Sequence, residues 1–160
     1  MRITGVVQAG GRSTRMGGRP KALMELGGRR IIDRVVEVVR AVADDVLIVT
    51  NAPELYASLD LPMVPDAFPD HGSLGGIYSG LRAAPGDAAF TVACDMPFLM
   101  AEVARLVTRR AGDADVVVPL VGDSTRRCTP ATRRRASGRS RPACARAGSR
   151  SWASTTRSAC

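Results

Sequence analysis

Aromatic side chains make up only 4% of the 160 residues, too few for a nucleic-acid surface built on stacked bases. No apolar run approaches the ~18 residues that a membrane span requires. The opening segment, Met1-Arg2-Ile3-Thr4-Gly5-Val6-Val7, has neither a long apolar stretch nor a cleavage-type ending, so a cytoplasmic address is expected rather than secretion. Histidine occurs once, at His71, and the four cysteines (Cys94, Cys128, Cys144, Cys160) form no C-x-x-C pair. That spacing gives no support to a zinc site, and an intracellular chain has little use for a disulfide framework. Lysine also occurs once, at Lys21.

Acid is missing from one end. Residues 1–123 hold 13 Lys and Arg against all 15 Asp and Glu, a net of −2, whereas residues 124–160 hold 10 arginines and no acid. The overall charge of +8 therefore belongs to the last segment alone. That segment also lacks Val, Ile, Leu, Met and Phe, and Trp152 is its one large apolar group. With so little to bury, 124–160 is expected to be a disordered, low-complexity basic tail. Such a tail would attract nucleic acid non-specifically and in a strongly salt-dependent way. The expected domain is 1–123.

Within 1–123, short β-like runs alternate with helical patterns. Ile3–Gln8 reads as a compact apolar strand, followed by a Gly/Arg loop from Ala9 to Arg19. Ile31, Ile32, Val35, Val38, Val39 and Val42 recur at helical spacing and predict an amphipathic helix over 29–43. Val46-Leu47-Ile48-Val49 reads as a strand buried on both faces. A short helix is expected at Pro53–Leu59, a brief strand at Met63–Val64, a helix at Leu74–Ala83 and a strand at Ala88–Cys94. Leu99–Arg110 follows as a helix with Leu99, Val103, Leu106 and Val107 inward, and Val116-Val117-Val118 is the last strand. The alternation predicts an α/β fold: an open, mostly parallel, Rossmann-like sheet with helices on both faces, truncated on its C-terminal side.

Ligands of such sheets sit outside the carboxyl ends of the strands. Three loops there carry chemistry. Gln8-Ala9-Gly10-Gly11-Arg12-Ser13-Thr14-Arg15 runs on to Lys21. Its glycines let backbone N–H groups approach an anion, and Arg15 and Lys21 add charge for phosphates. The glycine spacing fits neither a Walker A loop nor G-x-G-x-x-G. In the second loop Asp66 ends a strand, where it can accept from a base or ribose, and Gly72, Gly75 and Gly76 open a helix to close backbone approach. Asp70 and His71 read more simply as part of a turn. In the third, Asp95 follows a buried strand and precedes Pro97. A carboxylate so placed suits Mg²⁺, which takes one or two carboxylates together with substrate phosphates and water; the bland alternative is a helix cap. Cys94 reads as core.

Ala9-Gly10-Gly11-x-Ser13-x-Arg15-Met16-Gly17-x-x-x-Lys21-Ala22-Leu23, Pro65-Asp66, Gly72-x-Leu74-Gly75-Gly76-Ile77-x-Ser79-Gly80-Leu81 and Cys94-Asp95-Met96-Pro97-Phe98-Leu99, in that order, closely resemble the molybdenum cofactor guanylyltransferases. The resemblance spans about residues 3–121. It implies transfer of GMP from GTP to molybdopterin cofactor with release of pyrophosphate, aided by Mg²⁺. By motif position it implies nucleotide contacts at Gln8, Ala9, Gly10, Gly11, Asn51 and Asp66, a phosphate lysine at Lys21 and a metal-binding aspartate at Asp95. The family's usual apolar residue before Ala-Gly-Gly is Gln8 here, and its usual Pro before Leu74 is Ser73.

Two other readings remain open at this point. A cytidylyl- or sugar-nucleotidyltransferase shares the first loop, and a non-catalytic nucleotide-binding domain with a nucleic-acid-associating arm would account for the arginines. The loss of every acid and every branched aliphatic near Asp123 also suggests that the reading frame has slipped there. The encoding DNA decides that point: the shifted frame should encode an apolar continuation.

Overall fold

Five of the six residues of strand β1 (Ile3–Gln8) are buried, as an apolar run in a sheet covered on both faces must be. The computed structural model describes residues 1–10, 20–119 and 131–133. After β1 come a 3₁₀ turn (Lys21–Leu23), strands β2 (Glu25–Leu26) and β3 (Arg29–Arg30), and helix α1 (Ile31–Arg40). Strand β4 (Asp45–Val49), 3₁₀ turns at Pro53–Leu55 and Ala57–Leu59, strand β5 (Met63–Val64) and a 3₁₀ turn (Pro69–His71) follow. Helix α2 (Ser73–Ala83), strand β6 (Ala88–Ala93), helix α3 (Ala101–Arg109), β7 (Val116–Val117) and β8 (Ala131–Arg133) complete the described elements.

The main sheet runs β5-β4-β1-β6-β8-β7. β5, β4, β1 and β6 are mutually parallel, while β8 is antiparallel to both β6 and β7. Alternation along the strands divides the core in two. Ile3, Val7, Ile48, Phe90 and Val92 join Ile32, Val35, Val36 and Val39 of α1 and Ala104 and Val107 of α3. Val6, Leu47, Val49 and Ala89 form the opposite face, with Ala84 and Leu81 at the end of α2. Helices therefore cover both faces, as the alternation of the sequence requires.

α2 lies against β1 through small residues. A Cβ built on Gly80 would run into Val6 Cγ1, and one on Gly76 would come within 2.9 Å of Gln8 Oε1. Four helical residues rise about 6 Å and two strand residues about 6.6 Å, so the spacings match with the helix antiparallel to the strand. The first turn of α2 is thereby brought to the carboxyl end of β1.

Several expectations need correction. Pro53–Leu59 is two separate 3₁₀ turns, divided at Tyr56, whose ring is buried in the core. α3 starts later than expected, because Met96–Leu99 is closed by a turn from Leu99 N–H to Met96 O. Its inward residues are Ala104, Val107 and Thr108, while Val103 and Leu106 are 37% and 66% exposed. Packing at close range selects the small side chains of that helix, which a hydrophobicity pattern undervalues. The β2–β3 hairpin, absent from the expectation, turns on Gly27 and Gly28 with φ of +58° and +74°, the two-residue geometry that favours glycine. Within the segment 124–160, only Ala131–Arg133 is described, as β8 beside β6 and β7. The remainder of that segment lies outside the described residues.

Candidate functional site

The chain leaves β1 through α1 toward β4 on one side and later returns through α2 to β6 on the other. The crevice where those connections diverge is the expected binding position. Beyond the strands, the ladder continues for one residue on each side: Ala9 N–H donates to Val49 O at 2.8 Å and Cys94 N–H to Gln8 O at 3.0 Å. Gly10 and Asp95 are the first residues freed from it.

A cavity of about 540 Å³ opens there. Gln8, Ala9 and Gly10 line it from β1, Lys21 from the following 3₁₀ turn, Asp66 and Asp70 from the segment after β5, Gly72, Ser73 and Gly76 from the entry to α2, and Cys94 and Asp95 from the end of β6. Of the residues expected from the sequence, Gln8, Ala9, Gly10, Lys21, Asp66 and Asp95 thus come together. Gly11 and Arg15 lie outside the described residues. Asn51 does not line the cavity; its Oδ1 accepts the Asp66 backbone N–H at 2.8 Å. In the described structure Asn51 therefore braces the backbone of Asp66 from behind, with its side-chain NH₂ still available to donate.

Asp66 is nearly buried, at 8% exposure. Its Oδ1 accepts from Phe68 N–H at 2.9 Å and lies 3.2 Å from Ser79 Oγ. Its Oδ2 faces the first loop, 3.7 Å from where a Cβ on Gly10 would stand. One oxygen is spent on holding the turn, and the other is presented to the cavity. Asp95 is exposed, and no described residue donates to its carboxylate. It is not a helix cap, because α3 begins after Met100.

α2 begins with no side-chain cap, behind Gly72 at φ +58° and ψ −140°, a conformation suited to glycine. The unpaired amides of its first turn carry partial positive charge toward the cavity. Among the described lining residues, three carboxylates (Asp66, Asp70, Asp95) stand with one ammonium, Lys21. That balance suits a polyphosphate bound together with a divalent cation better than either alone.

Cys94 is partly buried against the core as well as lining the cavity. Burial first, and then the neighbouring Asp95, push its thiol up to about 12. Burial likewise pushes the Tyr56 phenol up to about 12. Both side chains are neutral at physiological pH, and Cys94 is no nucleophile there. Ser79 stands in the sequence only as a motif position with no role of its own; its signal is a small hydroxyl beside Gly80, four residues after Gly75.

The profile of the MobA-like NTP transferase domain matches residues 5–158. A molybdenum cofactor guanylyltransferase of Desulfosudis oleivorans is 44% identical over 118 residues, covering 73% of this chain and 58% of that relative. The first curated relatives are spanned to 58–64% of their length. The solved molybdopterin-guanine dinucleotide biosynthesis protein A of Archaeoglobus fulgidus superposes with a TM-score of 0.66 at 24% identity, over 81% of this chain and 67% of that one. Rv0371c of Mycobacterium tuberculosis, solved in complex with manganese, gives 0.56 at 22% identity over 72% and 62%. Both share the fold described above. On the breadth of the profile match, the chain belongs to the MobA-like NTP transferase family.

Proposed function

We propose that this chain transfers GMP from GTP to the phosphate of molybdopterin cofactor, in the cytoplasm and with Mg²⁺. A terminal phosphate oxygen of the pterin attacks the α-phosphorus of GTP. The bond from that phosphorus to the bridging oxygen breaks, and pyrophosphate leaves with the electron pair. The attacking oxygen is already ionised, so no side chain needs to remove a proton. The barrier lies in bringing two anions together and in stabilising charge on the leaving group, for which positioning and electrostatics are the main resources.

The observation that carries this reading is the convergence of Gly10, Lys21, Asp66 and Asp95 on one cavity at the strand ends. Lys21 and the Gly10 amide, the first freed from the ladder, are suited to hold the triphosphate, with Arg15 and Gly11 added on the motif resemblance. Asp66 Oδ2 is suited to accept from the base or ribose. Asp95 offers a carboxylate free of described partners, and among the described residues no group of three or more His, Cys, Asp or Glu is placed to hold a metal ion by itself. Those residues fit Mg²⁺, which needs few protein carboxylates when phosphate oxygens and water complete its shell. Bound there, the ion would neutralise phosphate charge. The relative solved with manganese supports a divalent ion in this fold.

We take residues 1–123 as the nucleotide-binding unit, with β8 pairing at the edge of its sheet. Among the described residues no helix is long and apolar enough to cross a membrane. Competition tests the base preference: GTP is expected to displace a fluorescent guanine nucleotide from the full chain, with CTP and UTP much weaker. Stronger displacement by CTP would favour a cytidylyltransferase instead.

A further inference from the structure

Ser79 sits on the second turn of α2, buried at 6% exposure, and takes no part in the functional reading above. Its Oγ accepts the Ala67 N–H at 2.9 Å. Its single hydroxyl proton lies between Gly75 O, at 2.9 Å, and Asp66 Oδ1, at 3.2 Å. One hydroxyl thus ties both the backbone after Asp66 and one Asp66 oxygen to the helix. The contact is close because residue 75 is glycine: a Cβ there would run into Phe68 O and stand 2.9 Å from Asp66 Oδ1.

We infer that Ser79 is a positioning residue for nucleotide, holding the Asp66 carboxylate so that Oδ2 stays turned toward Gly10. With Ser79 in place Oδ1 has two neighbours that can donate, the Phe68 amide and this hydroxyl. Removing the hydroxyl leaves the Ala67 N–H without its acceptor and the carboxylate held by the Phe68 amide alone. The Asp66 turn then loses its tie to α2, although Asn51 still holds the Asp66 N–H. The inference rests on nucleotide binding in this cavity.

Calorimetric titration of the full chain with GTP and Mg²⁺ tests it. Ser79→Ala is expected to weaken binding about tenfold, the scale of one lost hydrogen bond to a charged group. In an Asp66→Ala background the same change should cost less than twofold, because its effect passes through that carboxylate. Equal weakening in both backgrounds, as a purely structural role would give, overturns the inference, and so does no weakening in the otherwise wild-type chain. If Ser79→Ala does not fold, Ser79→Cys keeps the volume with a poorer acceptor and should show the same background dependence with a smaller loss. Amide exchange at Ala67 in the ligand-free protein should accelerate in either variant; unchanged exchange shows that the tie does not exist. A wild-type chain that takes up no GTP overturns the functional reading and this role with it, whereas GTP uptake that Ser79→Ala leaves unchanged overturns the role alone.

Discussion

Asp95→Ala is expected to lower guanylyl transfer by about 10²–10³-fold at saturating Mg²⁺, the scale of losing one preorganised electrostatic group at a reacting phosphate. Folding should be nearly untouched, because the side chain is exposed, follows β6 in a loop and has no described hydrogen-bond partner. Surface changes of that kind stay within about ±0.5 kcal/mol. Melting curves of the two proteins should therefore overlay while their turnover differs. Near-normal turnover by Asp95→Ala would remove the carboxylate from the reaction.

Gly75→Ala carries the largest expected structural effect. In an open helix this change gains about 1 kcal/mol in helix propensity. Here the added methyl points at the Phe68 carbonyl, with Phe68 C at 3.0 Å and Asp66 Oδ1 at 2.9 Å. A backbone carbonyl cannot swing aside as a side chain does, so either α2 or the 66–71 segment must shift. Overpacking costs roughly 1–3 kcal/mol, and against a backbone carbonyl that cannot yield the upper part of that range applies, which outweighs the propensity gain. A lowered melting temperature and GTP binding weakened at least tenfold are expected together, because the displaced segment carries Asp66. Gly112→Ala, where nothing lies within 4 Å of the new methyl, should do neither. A Gly75→Ala protein as stable as the parent would contradict the packing described for α2.

The central strands were legible because burial on both faces leaves a plain signature: Val46-Leu47-Ile48-Val49 cannot sit at a surface without cost. The cavity residues were legible for a related reason. In a doubly wound sheet the ends of the strands fix where ligands go, and Gln8–Gly10, Asp66 and Asp95 follow strands that could be read directly. Residues whose role depends on proximity across the chain were not. Asn51 reaches Asp66 over 15 residues and Ser79 reaches it over 13, and no local pattern records either distance. Over 99–110 the sequence pattern holds at Leu99 and Val107 and fails at Val103 and Leu106, where the buried positions are the smaller Ala104 and Thr108. β8 has no apolar signature, because Ala-Thr-Arg pairs through its backbone and ladder hydrogen bonds demand no apolar side chain.

The proposed chemistry requires polyphosphate held by Lys21 and Gly10 beside a cation on Asp95. Calorimetric titration of the purified chain with GTP, with and without Mg²⁺, tests that most directly. Saturable one-to-one binding that strengthens when Mg²⁺ is present is expected, with the Mg²⁺-dependent gain lost in Asp95→Ala. GTP binding that ignores both the metal and Asp95, or no binding at all, would contradict it.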